Sequence, residues 1–122
     1  MAIILIVDDN PTIIRLLSHT LRKQGHEVIE AVNGREALEL LAESQIALGI
    51  LDIAMPEMDG LSLLRHLRQD ARWHSTPFIM LTASGQDEDR EVAEKAGANA
   101  FLTKPTSSRE LLATVDRLLE AE

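Results

Sequence analysis

Five short apolar runs, Ile3 to Val7, Glu27 to Ala31, Ala47 to Leu51, Pro77 to Leu81 and Asn99 to Leu102, recur along this chain with an amphipathic stretch after each. Runs of four or five residues rich in Ile, Leu and Val have the length of strands and are too short for buried helices. The first, third and fourth are apolar on successive positions, the pattern of parallel strands covered by helices on both faces. The second carries Glu27 and Glu30, which places it at an edge of the sheet.

The intervening stretches read as helices with punctuation at their ends. Asn10 caps a helix over Pro11 to Gln24, with Pro11 in its first turn, Gly25 as its stop and Ile13, Ile14, Leu17 and Leu21 on its apolar face. Asn33 caps Gly34 to Ser44, Asp59 caps Gly60 to Gln69, and Ser108 or Thr106 caps the last helix, whose Leu111, Leu112, Val115, Leu118 and Leu119 point inward. The helix from Asp87 to Ala96 offers only Val92, Ala93 and Ala96 to a core, so it is expected to be the least firmly docked. Its Asp87, Glu88 and Asp89 favour the positive end of the helix dipole.

Strands alternating with helices, with no repeat and no linker, predict one domain over residues 1–122. The fold class is α/β: a single doubly wound, flavodoxin-like parallel sheet of five strands in the order 2-1-3-4-5 with five helices, rather than a six-stranded dinucleotide fold. A formal charge of −8, from 12 Lys and Arg against 20 Asp and Glu, argues against nucleic acid and anionic membranes as partners, and no basic patch stands out along the sequence. Zero cysteines exclude disulfides and thiolate chemistry, and the four His residues lack metal-motif spacing. The apolar run after Met1 is too short and too quickly acidic for a signal peptide or a membrane span, so a cytoplasmic protein is expected.

In doubly wound sheets chemistry gathers beyond the C-terminal strand ends. There the chain has Asp8 and Asp9 after the first strand, Asp52 after the third, Thr82 and Ala83 after the fourth, and Thr103, Lys104 and Pro105 after the fifth. Taken singly, Asp8 with Asp9 reads as a solvated turn, whereas for Asp52 a cap on the turn before Pro56 and a functional role weigh equally, and for Thr82 the start of a loop is the weaker reading. Convergence at neighbouring strand ends is what favours a site. Three carboxylates repel one another, and the Lys104 ammonium cannot neutralise them all. A hard divalent cation can, and an all-oxygen donor set suits Mg²⁺, with Mn²⁺ as a substitute. Asp52 is then a nucleophile able to form an acyl phosphate, with Lys104 and Thr82 on the phosphoryl oxygens.

Four segments carry a resemblance to a known family: LIVDDN at Leu5 to Asn10, LDIAMPEMDG at Leu51 to Gly60, MLTAS at Met80 to Ser84 and FLTKP at Phe101 to Pro105. In this order at these strand ends they resemble the receiver domains of two-component response regulators, over essentially the whole chain. The resemblance implies Asp52 as phosphoacceptor, and Asp9, Asp8 (mainly through water), Asp52 and the Ala54 carbonyl around Mg²⁺. It also implies Lys104, Thr82 and the Ala83 N–H on the phosphoryl group, a cis bond before Pro105, and Phe101 as a switch aromatic moving inward as Thr82 turns. The implied partners are a sensor histidine kinase or phosphotransfer protein as donor and a downstream protein or output domain. The chain would be a monomer or a phosphorylation-dependent dimer, and a switch rather than an enzyme of multiple turnover.

Departures from the family pattern are local. Ala47 and Gly49 stand where the family more often has an acidic and a bulky aliphatic residue, which predicts weaker packing in the third strand. Ala54 and Ser84 lie where the family tunes how quickly water removes the phosphoryl group, and Phe101 lacks a tyrosine hydroxyl, so its switching would rest on packing. A pseudo-receiver that only binds partners is the alternative, disfavoured because acidic pair, acceptor and lysine are all present. A small Mg²⁺ phosphatase would place its nucleophile in an Asp-x-Asp pattern after the first strand. A nucleotide or flavin site would need a glycine-rich loop there.

Overall fold

The apolar runs become a parallel sheet in the order β2-β1-β3-β4-β5. In the computed structural model, which describes residues 2–55, 58–83 and 87–120, the strands are β1 (Ile3–Val7), β2 (Glu27–Ala31), β3 (Leu48–Asp52), β4 (Phe78–Thr82) and β5 (Ala100–Thr103). The helices are α1 (Pro11–Lys23), α2 (Gly34–Leu41), α3 (Gly60–Arg68), α4 (Asp87–Ala96) and α5 (Ser108–Glu120). Pro56 and Ser84 lie outside the described residues.

Successive strand residues face opposite sides, and both sides are covered. Ile4, Ile6, Ile50, Ile79 and Leu81 pack under α1 and α5 against Ile14, Leu17, Leu21, Leu111, Val115 and Leu118. Leu5, Val7, Leu51, Met80 and Phe101 pack on the other side against Ala37, Leu63, Leu64, Leu67, Ala93 and Ala96 of α2, α3 and α4. This explains why the central runs are apolar at every position. β2, with its two glutamates, is an edge strand as expected, and Glu30 on it accepts a hydrogen bond from Ser18 of α1 at 2.6 Å.

Three strands begin and end one residue later than the apolar runs suggest. Asp52 and Thr82 are the last residues of β3 and β4 rather than the first residues beyond them. Asn99 is excluded from β5 because its side chain does a strand's work: Oδ1 accepts from the Phe78 N–H at 2.9 Å while the Asn99 N–H donates to the Phe78 carbonyl at 2.8 Å. The helices stop slightly sooner than predicted, α1 before Gln24, α2 at Leu41 and α3 before Gln69. α2 ends where the Glu43 N–H turns back to the Leu40 carbonyl and carries the chain toward buried Ile46. Asn10, Asn33 and Asp59 cap as expected, but α5 is capped by Ser107, whose Oγ accepts from the Glu110 N–H at 3.0 Å. That contact displaces both Ser108 and Thr106 from the role.

α4 is as weakly anchored as its sequence implies. Ala93 and Ala96 are buried, whereas Val92 is 39% exposed and does not face the core. Two buried methyl groups contribute about 0.8 kcal/mol each, against roughly 1.5–3 kcal/mol for each of Ile14, Leu17 and Leu21 on α1.

The expected packing weakness at Gly49 is overturned. A Cβ built on Gly49 would lie 2.5 Å from the Phe78 ring, so the missing side chain is the space that the fully buried Phe78 fills. Gly60 likewise serves by its size rather than by a special φ: its Cβ would collide with the Asp52 carbonyl, and its N–H donates to the Ile53 carbonyl at 2.9 Å.

The far end of the sheet is fastened by Arg68, which no sequence pattern marks. Its Nη1 donates to the carbonyls of Trp73, His74 and Thr76 at 2.8, 3.1 and 2.6 Å. Nε and Nη2 reach the Gly97 carbonyl at 3.1 and 2.8 Å, and Nη2 also reaches Asn99 Oδ1 at 2.7 Å. The guanidinium stands 5.0 Å from the centre of the Phe78 ring. One side chain thus joins the end of α3, the loop around buried Trp73 and the turn from α4 into β5.

Candidate functional site

The register of the sheet brings the polar strand ends together. Val7 pairs with Leu51, Asp52 with Leu81 and Thr82 with Thr103, so the residues that follow these pairs share one rim. Asp8 is fully buried there and Asp52 is 4% exposed, while Asp9 is exposed. Carboxylate oxygens of all three lie within 4.8 Å of one another.

Local hydrogen bonding fixes two of these side chains. Asp8 Oδ1 accepts the Asn10 N–H at 2.9 Å, tying the acidic pair to the start of α1, and Asn10 Oδ1 accepts from the Thr12 and Ile13 N–H groups in turn. Asp52 Oδ1 accepts the Ala54 N–H at 3.3 Å, and the backbone behind it is pressed by Gly60. Lys104 reaches across from beyond β5, its Nζ standing 2.8 Å from Asp8 Oδ2 and 3.3 Å from Asp52 Oδ1. The Lys104 N–H donates to the Thr82 carbonyl at 2.6 Å, and the Lys104–Pro105 bond is cis, as the resemblance implies.

The electrostatics follow from burial. Asp52 has its pKa pushed up from 3.8 to about 6, first by desolvation and then by the Asp8 charge, with Lys104 and the Ala54 N–H opposing. Burial works against the Lys104 ammonium, but hydrogen bonds and charge from Asp8 and Asp52 together hold its pKa above the usual lysine value. Asp8 Oδ2 is buried with no hydrogen bond of its own beyond this ion pair. Three oxygen-bearing groups converge on a point with one ammonium, a donor set that fits a hard divalent cation.

Of the residues expected at the site, Asp8, Asp9, Asp52, Ala54, Thr82, Ala83, Lys104 and Pro105 stand at this end of the sheet, whereas Phe101 pairs with Met80 further back along β5. Thr82 is buried at the close of β4, Ala83 follows it in the open, and Ala54 sits beside Asp52. Phe101 lies on β5, already buried against the α2–α4 side of the core, with the Arg90 guanidinium 5.1 Å from its ring centre. The contribution of Gly60 was not visible in the sequence as packing; the Asp-Gly step signalled only a helix start.

A doubly wound α/β domain with its acidic groups at the switch in strand order is the class that this geometry defines. Within that class the chain belongs to the response regulator receiver domain family, whose family model matches residues 4–116. The transcriptional regulatory protein SrrA of Staphylococcus aureus (strain NCTC 8325 / PS 47) is 43% identical over 116 residues, covering 95% of this chain and 47% of that protein. The chain therefore spans about half the length of this curated relative. Among solved structures, chemotaxis protein CheY4 of Vibrio cholerae superposes with a TM-score of 0.92 at 36% identity, covering 97% of this chain and 98% of that one. The receiver domain of sensor histidine kinase PA1611 from Pseudomonas aeruginosa, with a magnesium ion coordinated in its active site cleft, gives 0.90 at 30% identity and covers 98% of each chain. No helix among the described residues is long and apolar enough to cross a membrane.

Proposed function

We propose that residues 1–122 form one receiver unit in which Asp52 accepts a phosphoryl group from a phosphohistidine, on a sensor histidine kinase or phosphotransfer protein, in a Mg²⁺-dependent reaction. The observation that carries this reading is the placement of Lys104 Nζ between Asp8 and Asp52, 2.8 and 3.3 Å from their oxygens, beside a third carboxylate. An Asp52 oxygen attacks phosphorus, the P–N bond breaks, and its electron pair returns to the donor imidazole. Burial leaves Asp52 more basic than an ordinary carboxylate, and ionised in large part at neutral pH. Lys104 holds a phosphoryl oxygen as an ammonium, and the Thr82 hydroxyl and Ala83 N–H hold the others.

Asp8, Asp9, Asp52 and the Ala54 carbonyl would hold Mg²⁺, or Mn²⁺ in its place, and the bound ion supplies positive charge that offsets the carboxylates and the developing charge on the phosphoryl oxygens. The product is a stoichiometric acyl phosphate, so the chain is a switch that assists its own modification rather than a turnover enzyme. Capture of the new anion by Thr82 and Lys104 pulls on the loops after β4 and β5. α4, anchored by two alanines, is the element that yields, and Phe101 transmits the change by packing. The face of α4, β5 and α5 then alters its affinity for a downstream protein or output domain, as a monomer or a phosphorylation-dependent dimer, in the cytoplasm. The presence of Asp8, Asp52 and Lys104 in contact weighs against a receiver that has given up phosphorylation.

Intact mass after incubation with acetyl phosphate and Mg²⁺ tests the chemistry. The expected result is gain of one phosphoryl group, lost in Asp52→Asn and in the presence of a chelator; an unchanged mass with both acetyl phosphate and a phosphohistidine protein would overturn it.

A further inference from the structure

α1 differs from the rest of the chain in charge. It carries Arg15, Arg22, Lys23 and His19, and all the acidic residues of this chain of net charge −8 lie outside it. The helix dipole accounts for Arg22 and Lys23 in the last turn. It gives no reason for Arg15 in the second turn or His19 in the middle. Their spacing sets these side chains along one stripe of about 12 Å, and the stripe becomes a wall of an open groove only when β2 is laid beside it. The groove, about 530 Å³ in volume, is lined by Arg15, Ser18, His19, Arg22, Lys23 and Glu30. The absence of any basic patch expected from the sequence is thereby corrected.

The one carboxylate in the lining is already engaged. Glu30 Oε2 accepts from Ser18 Oγ at 2.6 Å and stands 3.7 Å from Arg22 Nη1. Arg15 and Lys23 are exposed and have no ion pair among the described residues. We propose that this groove binds a short acidic segment of a partner polypeptide. Length decides against larger polyanions. A nucleic-acid duplex or an anionic membrane extends past the stripe and meets the acidic remainder of the surface. A segment of two helical turns stays within the roughly 8 Å over which charges are felt at physiological salt, and senses only the cationic wall. Arg15 and Arg22 add forked donors that match carboxylates in pairs.

The test is amide NMR of the ¹⁵N-labelled full chain titrated with a short helical peptide of alternating Glu and Ala. The expected result is saturable shifts confined to α1 and β2 around the groove, absent with the Gln-for-Glu peptide, with affinity lowered about tenfold or more by Arg15→Glu combined with Lys23→Glu. If that pair of reversals disturbs the fold, Arg15→Gln with Lys23→Gln must reduce both affinity and its salt dependence. Shifts centred on another face, or affinity indifferent to these substitutions, would overturn the proposal. So would tighter binding of duplex DNA or phosphatidylserine vesicles at the same salt, or concentration-dependent shifts of the same residues without peptide, which would assign the groove to a second copy of the chain.

Discussion

The two ends of the sheet treat buried charge in opposite ways. At the N-terminal ends of β4 and β5 one cation, Arg68, meets four backbone carbonyls and the Asn99 amide, and every partner is neutral. At the C-terminal ends three carboxylates stay within 4.8 Å of one another, and one ammonium pairs with two of them, Asp8 and Asp52. The first arrangement holds elements together without any ligand. The second is repulsive until a cation or a change of covalent state relieves it, and a site that is uncomfortable on its own is one whose occupancy can be transmitted.

The largest expected effect comes from the quiet end. Arg68→Ala removes the guanidinium donors of the Thr76 and Gly97 carbonyls and leaves the Trp73 carbonyl only the Thr76 N–H, and should lower unfolding stability by about 2–3 kcal/mol in urea titration. The Asp52 site should still accept a phosphoryl group below the new melting temperature. A loss of stability well under 1 kcal/mol would show that water replaces Arg68 freely, and the contrast between the ends would fail.

The charged end should respond with the opposite sign. In chelator, Asp52→Asn removes a carboxylate that burial and Asp8 disfavour, while giving up its attraction to Lys104, and should raise stability by about 1–2 kcal/mol at pH 7. The pH dependence follows from the direction of the shift. With its folded pKa raised from 3.8 to about 6, Asp52 contributes stability fully present below about pH 4 and lost as pH rises through about 6. Urea titrations at several pH values should therefore show the two proteins equal near pH 4 and diverging toward pH 7. A gap independent of pH would mean that desolvation of Asp52 is not its cause. Mg²⁺ should close the gap by stabilising the parent chain more than the variant, in melts with and without the ion.

The smallest effect sharpens the reading of Arg68. Arg72 also lies over an aromatic ring, 4.7 Å from the centre of Trp73, and donates to the Ser44 carbonyl at 2.9 Å, but it is exposed. Arg72→Ala should cost no more than about 0.5–1 kcal/mol by thermal melting. A cost equal to that of Arg68 would mean that ring stacking, rather than the number of carbonyls served, fastens this end.

Much of the fold was legible because its signals are local. Apolar runs, the caps Asn10, Asn33 and Asp59, and the two-glutamate edge strand each depend on a few neighbouring residues. The one-residue offsets of β3, β4 and β5 arose because a polar residue such as Asp52 or Thr82 can complete a hydrogen-bonded ladder that an apolar pattern appears to have left. The groups at the site were legible for a related reason: polar residues directly after buried strands have few structural uses, and four strand ends agreed.

The sequence by itself determined the alternation of strands and helices, the edge position of β2 and the chemical types standing at the strand ends, since periodicity and capping act over a few residues. Only the tertiary structure decided that Lys104 bridges Asp8 and Asp52, that the Phe78 ring occupies the space beside Gly49, that Arg68 gathers three segments, and that α1 and β2 enclose a cationic groove. Each of these joins residues distant along the chain, and their energies depend on separations of a few ångströms that local sequence does not set and that the assembled sheet with its packed helices does.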